Sequence, residues 1–117
     1  MPPLNGIRIE LGGKDRVLRF TNRSRARLET AFGLTLSQAA MQGGLQNSIL
    51  AISRMLWAAL LHEEPDLQVD QCIDLIDAYR EKDICDALGS AMLQYFGIDE
   101  EDLKEQPEEG KAETATD

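Results

Sequence analysis

Residues 45–62 constrain this chain more than any other stretch, because they are apolar almost all the way round a helix. Leu45, Ile49, Ile52, Leu56 and Leu60 recur at helical intervals and form one stripe. Leu50, Met55, Trp57 and Leu61 carry apolar surface over most of the remaining circumference. Such a helix has almost no face to give to water, so the spacing predicts a central helix over 45–62 around which the other segments pack. Its longest unbroken apolar run, 55–61, is far shorter than the roughly 20 residues that cross a bilayer, so no membrane span is expected.

The remaining segments supply shorter elements. Ile7, Ile9 and Leu11 alternate with Arg8 and Glu10, the period of a strand with one face on a core. A partner strand is expected over 16–20, with Leu18 and Phe20 on one face, and Gly12-Gly13-Lys14-Asp15 forms the turn of the hairpin. Two strands are marginal alone, so the hairpin either lies on the helices or extends through its edges into another chain's sheet.

Thr21, Asn22 and Ser24 are capable helix caps, and Ala26, Leu28, Ala31 and Phe32 follow at inward-facing intervals before Gly33. A second helix is expected from Ser37 through Ala39, Ala40 and Met41, stopped by Gly43-Gly44. After Pro65, Val69, Cys72, Ile73, Leu75 and Ile76 mark an amphipathic helix with Asp70, Asp74 and Asp77 on its outer face. Asp83 caps or opens the last helix, whose inward residues are Ile84, Leu88, Ala91, Met92 and Tyr95 or Phe96, and Gly97 closes it. The chain thus reads as α+β, mainly α: an N-terminal hairpin packed on four or five helices over residues 5–97, followed by an acidic, disordered tail over 98–117. At 117 residues and 43% apolar content there is material for one core and no room for a second domain.

Charge is unevenly distributed along the chain. Residues 1–35 carry seven basic groups against three acidic ones, 36–97 three against nine, and 98–117 two against nine, for a formal net charge of -9. A phosphate backbone is repelled by most of such a surface, so nucleic acid is not an expected partner. Arg23, Arg25 and Arg27 are the exception: beside ordinary solvation they offer a docking surface for an acidic partner or for the acidic face of another copy.

Signatures of bond-making chemistry are weak. His62 is the only histidine, and neither Ser48 nor Ser53 sits in a strand-turn-helix glycine pattern that presents a nucleophile. The three aspartates have no calcium-loop spacing and read as a solvated face, and Gly12-Gly13-Lys14 lacks the spacing of a phosphate loop. Cys72 and Cys85 lack close Cys or His partners and read as reduced, buried thiols, with a redox or catalytic thiol as the rival. Trp57 reads as core rather than as the wall of a partner pocket. No cofactor or metal is expected.

In order, these segments resemble the small tail assembly chaperones of long-tailed phages, including the gene transfer agent type sometimes labelled a tail tube protein. The resemblance covers most of residues 7–96. It is carried by Arg16-Val17-Leu18-Arg19-Phe20-Thr21-Asn22, by Leu28-Glu29 with Gly33 and Leu36, by Leu56-Trp57-Ala58-Ala59-Leu60-Leu61, and by Asp66-Leu67-Gln68-Val69-Asp70 leading into Leu75-Ile76-Asp77. Two positions depart from the family pattern, which favours glycine near Ala59 and a threonine cap at Gln68. The resemblance implies a non-enzymatic protein of the bacterial host cytoplasm that binds the tape measure protein, and as a second partner the tail tube protein, and assembles into oligomers. It also implies an alternative, a structural tail protein of the tube or its terminator.

Overall fold

Among the described residues, two strands and five helices follow one another in the order β1 (Ile7–Leu11), β2 (Lys14–Leu18), α1 (Asn22–Phe32), α2 (Leu36–Gly44), α3 (Ile49–Leu60), α4 (Val69–Leu75) and α5 (Glu81–Phe96). The structure, a computed structural model, describes residues 6–77 and 80–98. Beyond Ile98 the expected acidic tail lies outside the described residues. The mainly helical α+β arrangement with an N-terminal hairpin is as the sequence pattern predicts.

β1 and β2 pair antiparallel with Leu11 opposite Lys14, so the turn is Gly12-Gly13 alone and not the expected four residues. Both glycines hold positive φ, 60° and 75°, a geometry that suits the twist of a two-residue hairpin and leaves Lys14 and Asp15 free to join the strand. β2 correspondingly ends at Leu18, and Phe20 is buried from the connection that follows. Ile9 faces Arg16 and Ile7 faces Leu18, which puts the Arg16 side chain on the core side of the sheet.

α3 is the centre. Nine of its twelve residues are buried, and it packs against α1, α2, α4, α5 and β2. It is shorter than predicted, however. Ser48 caps it, the hydroxyl accepting the Ala51 N–H at 3.1 Å, and Asn47 just before takes a left-handed φ of 56°, so the helix cannot extend back to Leu45. Of the predicted stripe, Ile52, Leu56 and Leu60 are buried, whereas Leu45 lies outside the helix and is 83% exposed. The helix ends at Leu60, whose carbonyl accepts from the N–H groups of Glu63 and Glu64, so His62 belongs to the following turn.

Local chemistry explains the other shifts. Thr21 caps α1 reciprocally with Ser24: each hydroxyl accepts the other's N–H, at 3.0 and 2.9 Å. Ser24 is therefore hidden with its polar groups satisfied, and Ser24, Leu28 and half-buried Phe32 form the inward line, while Ala26 and Ala31, expected inside, are exposed. Thr35 and Gln38 make the same arrangement and start α2 at Leu36 rather than Ser37. Gly43 and Gly44 lie within the last turn of α2 instead of stopping it. A Cβ on Gly43 would stand 3.1 Å from Ile52 Cγ1, so this glycine serves the close approach of α2 to α3. α4 ends at Leu75, because Ile76 turns to extended backbone and packs on the core; Asp77 is consequently off the helix, and only Asp70 and Asp74 share its outer face. α5 opens two residues before Asp83, with Glu81 and Asp83 in its positively polarised first turn, and left-handed Gly97 closes it.

The hairpin is fastened to the helices along β2. Arg19 N–H donates to the Ala59 carbonyl at 3.0 Å, using an acceptor that the end of α3 leaves over. The turn after α3 covers the outward polar groups of Val17: His62 Nε2 donates to its carbonyl at 2.7 Å, and Glu63 accepts its N–H at 3.3 Å. Arg16, only 10% exposed at its side chain, pairs with Glu64 and also donates to the Leu11 carbonyl at 3.2 Å. On the β1 side, Arg80 donates to the Glu10 carbonyl, and Gln94 accepts the Gly6 N–H at 2.7 Å.

Candidate functional site

The three arginines read as one docking surface are divided by the helix that carries them. Residues 23 and 27 are four apart and share a face of α1, whereas residue 25 points roughly 200° away. Arg25 is committed to the seam with α5. Its guanidinium lies 6.0 Å from the Tyr95 ring centroid and 5.7 Å from that of Phe96, donates to the Tyr95 hydroxyl at 3.4 Å and pairs with Glu29 at 3.8 Å. The Tyr95 hydrogen bond, helped by charge attraction to Tyr95 and Glu29, raises the Arg25 pKa above its ordinary value. Tyr95 in turn donates its hydroxyl to Asn22 Oδ1, tying the end of α5 to the start of α1.

Arg23 and Arg27 instead line a groove of about 580 Å³ along the exposed face of α1, bordered by Asn22, Ala26, Thr30 and Ala31 and by Trp57 from α3. Small side chains on α1 leave the space, and the two guanidiniums flank it. Trp57 is held rigidly: its indole N–H donates to the Leu67 carbonyl at 2.8 Å, and Phe32 meets it edge to face at 5.4 Å. Arg27 stands 5.6 Å over the Trp57 ring, and Arg54 stands 4.5 Å over Phe32, so each ring of the pair carries one cation. Among the described residues, no carboxylate pairs with Arg23, Arg27 or Arg54. Arg54 Nε is buried without a hydrogen-bond partner there.

Sequence reasoning assigned no role to Arg54 and placed Trp57 in the core alone. Trp57 is indeed 6% exposed, yet it forms part of the groove. The usable signal was Arg54 itself, the only basic residue between Arg27 and Arg80, set inside the most apolar helix and three residues from the sole tryptophan.

A second surface arises where the central helix is shorter than predicted. Met41, Leu45, Ile49 and Leu50, all within one ten-residue stretch at the α2–α3 corner, are 49%, 83%, 45% and 41% exposed. Contiguous exposed apolar surface marks a contact site, and these four side chains are the material for one at this corner.

The groups considered for chemistry have structural employment. Burial, with a smaller contribution from Glu64, pushes the Cys72 thiol up to about 12. Burial, then Glu81 and Asp86, raises that of half-buried Cys85, so the nucleophilic thiolate is disfavoured at both. Ser48 caps α3, Ser53 donates to the Ile49 carbonyl at 2.8 Å, and His62 holds β2. Asp70 and Asp74 are exposed, and among the described residues no three His, Cys, Asp or Glu side chains gather into a metal-binding group. No helix of the described residues is long and apolar enough to cross a membrane. Comparison with protein-family models, with curated proteins and with solved structures returned no match.

Proposed function

We propose that this chain is a non-enzymatic assembly chaperone of the long-tailed phage type, which binds the tape measure protein in the bacterial cytoplasm and keeps it soluble while the tail is built. The ordered resemblance over residues 7–96 supports the reading, and one structural observation carries it: the exposed apolar corner of Met41, Leu45, Ile49 and Leu50. A long, largely helical and partly apolar partner aggregates unless its apolar faces are covered, and such a corner on a chain of net charge -9 combines apolar contact with a repulsive, solubilising exterior. Catalysis is not part of the proposal.

Co-expression tests it. The tape measure protein of the same tail should gain soluble yield with this chain, and the gain should fall several-fold with Leu45→Glu/Ile49→Glu, changes at two exposed positions whose folding is checked by circular dichroism. Equal yields with and without the chain would count decisively against the chaperone reading.

The alternative, a structural tail protein of the tube or its terminator, has one observation in its favour. Arg8 presents its N–H and carbonyl at the outer edge of β1 with no partner among the described residues, a place where a strand of another subunit can add. Mass spectrometry of purified particles separates the two, since a structural component is retained in multiple copies and a chaperone is left behind.

A further inference from the structure

The groove on α1 and the chain that follows α5 are complementary and adjacent. Residues 99–117 carry nine acidic groups and two basic ones, while the groove offers Arg23 and Arg27 without carboxylate partners among the described residues. The segment also starts beside the groove. Asn22, at the start of α1, borders the groove and accepts the Tyr95 hydroxyl, three residues before the described chain ends at Ile98; Arg25, against Tyr95 and Phe96, lies on the other side of α1, so the segment reaches the groove around the start of the helix. α1 has eleven residues and so runs about 16 Å, which five or six residues of extended chain cover. The first residues after Ile98 are Asp99, Glu100, Glu101 and Asp102, followed by Leu103, the segment's only large apolar side chain.

We propose that the acidic segment 99–117 of this chain docks in its own α1 groove, with the carboxylates of 99–102 on Arg23 and Arg27 and Leu103 against Ala31 and Trp57. Tethering supplies the affinity that exposed ion pairs lack by themselves, because a short linker holds the segment at millimolar effective concentration. The docked segment covers the arginines that any acidic partner would use, so such a partner must first displace it. This inference is independent of the chaperone reading and stands whichever partner the protein serves.

The test is nuclear magnetic resonance on the full chain and on a full-length variant carrying Glu100→Gln, Glu101→Gln and Asp102→Asn. Docking predicts that the Trp57 indole, the Arg23 and Arg27 side-chain N–H and the Ala26 amide resonances differ between the two at about 0.02 M salt and converge at about 0.5 M, where the screening length is only a few ångströms. The differences should persist on hundredfold dilution, and Arg23→Gln/Arg27→Gln, at two exposed positions, should abolish them. Identical groove resonances in the two chains would overturn the proposal. So would differences that map to another surface, or differences lost on dilution, which would mean that the segment binds a second copy.

Discussion

Removing Glu64 tests how the hairpin is held. Its partner Arg16 is directed inward by the strand register and is 10% exposed, while Glu64 is 25% exposed. Exposed ion pairs contribute about 0.2 to 1 kcal/mol, and breaking a fully buried pair costs about 3 to 5 kcal/mol because the surviving charge is left without water or partner. Glu64→Ala strands a mostly hidden guanidinium with only the Leu11 carbonyl, so a cost of about 2 kcal/mol is expected. Arg16→Met keeps an apolar stem on the core and leaves a carboxylate that water can reach, so it should cost about 1 kcal/mol. The double variant should cost no more than Glu64→Ala alone, a coupling of about 1 kcal/mol. Urea unfolding followed through Trp57, the only tryptophan, reads each value, and 2 kcal/mol moves the midpoint by roughly 1 to 2 M. If both single variants cost the same and each less than about 0.5 kcal/mol at 0.15 M salt, the pair is solvent-screened and apolar contact alone holds the hairpin.

Three further outcomes follow from burial and space. Gly89 lies inside α5 with nothing within 4 Å of an added Cβ, so Gly89→Ala should stabilise the fold by about 0.5 to 1 kcal/mol and raise the melting temperature by several degrees. Gly43→Ala should gain less than Gly89→Ala, because the added carbon meets Ile52 Cγ1 at 3.1 Å and that side chain must shift; equal gains at the two sites in thermal unfolding would refute the close-packing role of Gly43. Cys72 titrates near 9.0 when unfolded and at about 12 when folded. Between those values the unfolded chain has lost a proton that the folded chain keeps, so stability is intact below pH 9.0 and falls by up to about 1.4 kcal/mol per pH unit above it. In Cys72→Ala the slope in this window should be shallower than in the wild type, and an unchanged slope would mean that Cys72 does not contribute to it.

Much of the candidate site was hidden from the sequence for a definable reason. Arg23, Arg25 and Arg27 look equivalent as a run, and helical geometry alone separates the middle one from the other two; what each meets required the packing of α1 on α3 and its side-chain contacts with the end of α5. Arg54 and Trp57 stand close in sequence, but their junction with Arg27 through Phe32 joins two helices. The exposure of Leu45 and Ile49 was illegible because periodicity reports which residues could share a face, not where a serine cap begins the helix.

By itself the sequence determined the elements whose causes are local. Alternation made the hairpin, Gly12-Gly13 made its turn, Thr21 and Thr35 opened helices through side chains three residues on, Gly97 closed the last one, and the density of apolar residues after Ser48 placed α3 at the centre. Only the tertiary structure decided the partners of charge: Glu64 for Arg16, Tyr95 for Arg25, the Trp57 ring for Arg27, and no carboxylate among the described residues for Arg23 and Arg27. Backbone and capping preferences act over a few residues and are written in order along the chain. The energy of a charge depends on how much water and which opposite charge surround it, and both are set by segments that approach only when the chain has folded.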